Sequence, residues 1–237
     1  MKYPTGGSGQ DFVKASAGTH VAICNAIVDV GLQPGNPKFA GMVGKDGKPD
    51  SRGLPCPTVY LRFEIPGERV EYQKNGVDVE GPITVWWNGR ASMNEKSNLR
   101  KAAHALLGKT MTDQEAELFD MDTVIGKACM IQVEHSDDGQ YANVKNFMPL
   151  PKGMTGAKAE NPLMLYNIEN DGSYETLPKF LRDKIDRQIY ADANAPKAKP
   201  AAKPAAKPAQ SSPDDAFADA EAARQSDEFP DTVDDIR

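Results

Sequence analysis

The chain has 237 residues, of which 39% are hydrophobic and 26% charged, and its formal net charge is −6. No stretch approaches the ~20 consecutive apolar residues needed to span a bilayer, and the N-terminal segment MKYPTGGSGQDF lacks the apolar run of a signal peptide. Cys24, Cys56 and Cys129 are widely spaced with no CxxC pair, which argues against a disulfide framework or a zinc ribbon and fits a reducing cytoplasm.

After a glycine-rich start (residues 1–16), alternation of apolar and polar residues predicts a long first strand over 19–32, THVAICNAIVDVGL. A polar loop follows over 33–57, rich in Gly and Pro and carrying Lys38, Lys45, Lys48 and Arg52. The second strand, 58–65, directs Val59, Leu61, Phe63 and Ile65 to one face and Tyr60, Arg62 and Glu64 to the other. Residues 69–73 read as an extension or a hairpin arm turning at Lys74-Asn75-Gly76. A third strand spans 82–88, PITVWWN, with Ile83, Val85 and Trp87 inward and Thr84 and Trp86 outward.

A helix is predicted from a capping box at Ser92-Met93-Asn94-Glu95, with Leu99, Ala102, Ala103, Leu106 and Leu107 at helical spacing and Gly108 as the stop. Thr112 opens a second, shorter helix with another capping box (TDQE) that buries Leu118 or Phe119. Strands over 127–135 and 141–148 follow, joined by a turn at Asp137-Asp138-Gly139. On the last strand Ala142 and Val144 read as core-facing, with Tyr141, Lys145 and Phe147 on the opposite side. Beyond it, 162–168 reads as extended, and 177–190 as a helix with Leu177, Phe180, Leu181 and Ile185 on one side.

The end of the chain changes character. Residues 197–209 read KAKPAAKPAAKPA, a semi-rigid spacer of roughly 40 Å at ~3.1 Å per residue. From Ser211 onward nine carboxylates face only Arg224 and Arg237, a net of −7 in a chain of −6, so the rest of the chain sums to +1. The negative charge therefore sits almost wholly on this arm, which suits a body that handles a polyanion and a tail that competes with it or recruits partners. The expected organisation is a flexible start (1–16), a folded domain (17–153), an appendage with a helix (154–192), a linker (193–209) and a disordered acidic tail (210–237).

Three strands, a helix and two strands is the order of the OB-fold, a five-stranded Greek-key barrel, so a mostly β fold of that type is expected. No GxSxG, HExxH, GxxxxGK[ST] or strand-turn-helix GxGxxG is present. His20, His104 and His135 lie on different elements. Asp120, Asp122, Asp137 and Asp138 would serve a divalent ion in a metal-dependent nucleic-acid enzyme, but the last two are explained by the hairpin turn. The reading is therefore non-enzymatic, with no cofactor and no metal.

Single-stranded nucleic acid is held by cations along its backbone and by aromatic rings under its bases. Tyr60, Arg62, Trp86, Tyr141, Lys145 and Phe147 on the outward strand faces, with Arg69, Lys74 and Arg90 from the adjoining loops, supply both. An adaptor whose barrel binds protein and whose tail docks a partner is the other reading these residues allow.

The stretches HVAICNAIVDVG, SMNEKSNLRKAAHALLGK, FDMDTVIGKACMIQVEH and YANVKNFMPLPKG resemble the single-stranded DNA-binding proteins of tailed bacteriophages, over residues 18–153. The resemblance implies an OB-fold, no catalysis, sequence-tolerant binding of single-stranded DNA, a role in phage replication or recombination, and the host cytoplasm as its setting. The tail resembles the acidic C-termini of bacterial and phage proteins of this kind, which dock replication or recombination partners through an aromatic tip. Phe229, Asp234, Asp235 and Ile236 are the residues that would do so here, although Ile236 stands near the end where an aromatic is expected.

Overall fold

The structure, a computed structural model, describes residues 13–44, 46–74, 77–168 and 174–189. Its frame is one mostly antiparallel six-stranded sheet: β1 (Gly18–Gln33), β2 (Cys56–Lys74), β3 (Val77–Arg90), β4 (Ala128–His135), β5 (Ala142–Met148) and β6 (Met164–Tyr166). Among the described residues three α-helices accompany it: α1 (Asn98–Leu107), α2 (Asp113–Glu117) and α3 (Lys179–Asp186).

The strand order is β3-β2-β1-β4-β5, with β6 added parallel to β1. One edge of β1 is therefore shared: Gly18 to Ile23 pair with β4, while Ala26 to Val28 pair with β6. Bulges bend the long strands. Asn25 is the extra residue of β1 opposite β2, and Pro66 to Glu68 loop out of β2 between Ile65 and Arg69. That bulge carries the strand past Pro66 and Gly67, so strand and hairpin arm are one element paired from Thr58↔Arg90 to Lys74↔Val77. The turn expected at Lys74-Asn75-Gly76 involves residues 75 and 76, outside the described residues.

The inward face of β2 carries Val59, Leu61, Phe63 and Ile65, as alternation requires. These residues pack with Ile83, Val85 and Trp87, with Ala22, Cys24 and Ile27, and with Leu99, Ala102 and Leu106 of α1. No ladder joins β3 to β5 among the described residues. Their side chains nevertheless meet, since Trp87 of β3 lies 5.4 Å from Phe147 of β5, which lies 5.5 Å from Phe63.

α1 begins five residues later than the serine at 92 suggests. Ser97 is the cap and accepts from Arg100 N at 3.3 Å, while Ser92 to Lys96 form a turn held by Arg100 Nη1 donating to Met93 O at 3.3 Å. The Thr112–Glu115 capping box of α2 forms in both directions, at 3.2 and 2.8 Å. Its buried residue is Ala116; Phe119 packs against the core, but Leu118 is 89% exposed. Gly108 ends α1 at φ 69°, a left-handed conformation that favours glycine.

A second apolar layer forms on the outer face. Ala26, Val28 and Val30 of β1, Tyr60 of β2 and Trp86 of β3 are covered by Tyr166, Leu177, Phe180, Leu181 and Ile185. The chain reaches that face by crossing β4, where Gly156 passes so close to Ala128 that a Cβ on it would lie 2.2 Å from the alanine methyl.

Candidate nucleic-acid interface

Tyr60, Arg62 and Trp86 do share one face. Arg62 pairs with Trp86 across the ladder, its guanidinium carbon sits 5.4 Å from the indole centroid, and the Tyr60 and Trp86 rings are 6.4 Å apart. The expectation that this face is open is corrected: the three residues are 1%, 3% and 5% exposed. Phe180 of α3 seats against both rings, 5.9 Å from Tyr60 and 5.5 Å from Trp86. The apolar side of the C-terminal helix needed a partner surface, and these aromatics are it. No base can stack where Phe180 already does.

Arg62 and Glu64 are not open to solvent either. Both are buried, and Asn25 on the bulge of β1 bridges them, accepting from Arg62 Nε at 2.9 Å and donating to Glu64 Oε2 at 2.9 Å. Glu64 also accepts from the backbone N–H groups of Glu160 (2.7 Å) and Asn161 (3.0 Å) and from the Asn161 amide (2.9 Å). Buried charge persists where hydrogen bonds satisfy it. This network fastens the C-terminal crossing to the centre of the sheet.

Phe147 is corrected as well. A register shift between Gln132 and Val133 makes Lys145 an extra residue on β5, so Lys145 and Asn146 both face outward and Phe147 returns to the core at 8% exposure. Tyr141 is half-buried and Lys145 exposed, both at the β4–β5 end. Arg69 is at the surface but engaged twice, by Glu80 at 3.1 Å and by Glu160, and Glu160 chiefly raises its pKa. Lys74 closes the β2 ladder; its side chain lies outside the described residues. Phe229, Asp234, Asp235 and Ile236 of the tail also lie outside them.

The structure gathers cations instead around the β1–β2 loop, at the end of the sheet where Arg90 stands. Arg90 is exposed and donates to Ser51 O at 3.3 Å. Arg52 lies 3.8 Å from the centroid of Phe39 and grips the Asp50 carboxylate through Nη2 at 2.6 Å and Nε at 3.0 Å. Those bonds hold the Asp50 carboxyl down to about 2. Lys38 and Lys48 are exposed on the same loop. Its base is pinched, since a Cβ on Gly53 would lie 2.3 Å from Phe39 O and one on Gly35 2.3 Å from the Gly53 carbonyl carbon. Sequence reading noted the loop's cations but had no signal for the Phe39–Arg52 stack, which depends on two single-turn 3₁₀ segments at Pro37–Phe39 and Ser51–Gly53. The chain also leaves α3 here, with Ile189 N donating to Leu32 O at 2.7 Å.

The hollow of about 550 Å³ between the 92–97 turn and α2 offers a different chemistry. Arg100 is committed to Asp113 (2.6 Å) and Met111 O (2.7 Å), and Glu95, Asp113 and Glu117 surround it, a poor setting for phosphate. Asp120 and Asp138 cap turns, accepting from Asp122 N and Gln140 N at 2.9 Å. Among the described residues no group of three or more His, Cys, Asp or Glu could hold a metal ion. Burial pushes the Cys129 thiol up to about 12 and the Cys24 thiol higher still. No helix among the described residues is long and apolar enough to cross a membrane. No protein-family model matches the chain, and no curated protein is significantly similar to it.

Proposed function

We propose that this chain is a non-enzymatic binder of single-stranded nucleic acid with an OB-fold-like body. The observation that carries the reading is the strand order β3-β2-β1-β4-β5, with α1 between β3 and β4 and Trp87 and Phe147 bridging the sheet's ends. In OB-folds the loop between the first two strands is among those that contact oligonucleotides. Here that loop concentrates Lys38, Phe39, Lys48 and Arg52 beside Arg90.

Within that class, the protein is of the phage type that coats single-stranded DNA during replication or recombination. Its resembling stretches fall on β1, α1, β4 and β5, and the last described residue, Ile189, donates to Leu32 O at the base of the cationic loop. Phosphates engage Lys38, Lys48 and Arg90, and bases stack on the Phe39–Arg52 pair at ~1–3 kcal/mol each. The outer face of β2 and β3 is structural.

A salt titration of oligo-dT binding by fluorescence anisotropy tests this. Three phosphate contacts at ~0.7 each give a slope of log affinity against log salt of roughly −2, and Lys48→Ala with Arg90→Ala lowers its magnitude by about 1.4. Absence of binding at low salt, or a slope the double variant leaves unchanged, refutes the proposal.

A further inference from the structure

We propose that the tip of the β1–β2 loop caps the terminal base pair where duplex DNA gives way to a single strand. This rests on the single-strand-binding reading above and extends it to a second DNA form. Two adjacent apolar side chains, Met42 and Val43, are 52% and 66% exposed at that tip. Their backbone is fixed in a small hairpin. Val43 bridges to Pro49, Asp50 N donates to Met42 O at 2.8 Å, and Gly44 N donates to Lys48 O at 2.7 Å. Arg52 clamps Asp50 from behind and stacks on Phe39. A contiguous exposed apolar patch rimmed by polar groups marks a place that a partner covers.

Charge complementarity identifies that partner. Over this loop and its neighbour strand end Lys38, Lys48 and Arg90 are exposed against the exposed Asp46, while Arg52 and Asp50 neutralise each other. An apolar tip inside a cationic rim matches a junction, which presents the flat apolar face of an end base pair between converging phosphates. Met, Leu and Ile side chains already meet base faces in architectural DNA-binding proteins, where they insert between base steps. Two side chains bury too little for stable membrane anchoring, which takes more apolar area or a lipid chain.

The experiment uses the full chain and three fluorescent probes: oligo-dT, a blunt duplex, and a duplex with a dT overhang of the same length as the oligo. The wild type is expected to bind the overhang probe roughly tenfold tighter than oligo-dT. The Met42→Ser/Val43→Ser variant is expected to lose that preference while holding oligo-dT like the wild type, with an unchanged melting temperature. A 2-aminopurine at the junction should change its fluorescence with the wild type and not with the variant. Equal affinity for both probes in the wild type, or a preference that survives the double substitution, overturns the inference and leaves the single-strand reading standing. Failure to bind any probe overturns both. Uptake onto phosphatidylglycerol vesicles that depends on Met42 and Val43, without junction preference, also overturns it in favour of a membrane surface.

Discussion

Replacing Trp86 with alanine separates a stacking platform from a structural face. The indole is 5% exposed and packs edge-on against Tyr60 and Phe180 with the Arg62 guanidinium above it. Truncating a buried tryptophan costs ~3–5 kcal/mol. The Trp86 Nε1–H has no hydrogen-bond partner among the described residues, so no hydrogen bond is lost and the cost falls at the lower end, about 3 kcal/mol. For a folded body of this size that corresponds to a melting temperature about 6–12 °C lower. Urea unfolding and a thermal melt give the loss, and oligo-dT anisotropy below the transition gives the affinity, expected within about twofold of wild type because the loop is untouched. A variant that melts like the wild type but loses oligo-dT binding would refute this, showing that α3 does not cover the ring in solution.

Three further outcomes follow from other contacts. Glu64→Gln replaces one acceptor oxygen with an NH2 group, which faces the Glu160 N–H in the Oε1 position or the Asn161 and Asn25 donors in the Oε2 position, and should cost ~2–4 kcal/mol in urea unfolding. His104 accepts from Met111 N at 3.0 Å, and burial, then Arg100, lowers its pKa below 6.5. Its folded pKa lies below its unfolded one, so its contribution is complete above pH 6.5 and is lost as pH falls through the folded value; stability curves from pH 7 to 5 should flatten in His104→Gln. Truncation after Ala209 removes a net −7 from the chain, and should tighten oligo-dT binding most at low salt; equal affinity with and without residues 210–237 refutes the competing-tail reading.

Alternation in 58–65 and 82–88 identified which residues share a face, because strand periodicity is local. It did not say what covers each face. The stripe Leu177, Phe180, Leu181 and Ile185 was the signal that a second apolar surface existed, and Tyr60 and Trp86 were the side chains available to meet it. Arg62 and Glu64 read as facing away from the core because their partners at 160–162 lie far along the chain. Phe147 was assigned to the wrong side because one bulged residue inverts parity for everything after it. The late start of α1 turned on a choice between two serines, decided by where Arg100 finds its carbonyls.

The fastening of Glu64 to Asn161, and of Leu32 to Ile189, gives this chain a particular order of assembly. β1 emerges first from the ribosome but cannot complete its pairing until β4 and then β6 have been made. Until residues 177–185 follow, Tyr60 and Trp86 form an uncovered aromatic surface on a nascent sheet, and Glu64 lacks its last donors. Such long-range closures slow folding and leave sticky intermediates. A ribosome stalled short of α3 would thus hold a species prone to aggregate, and the C-terminal helix serves as the final latch of biosynthesis.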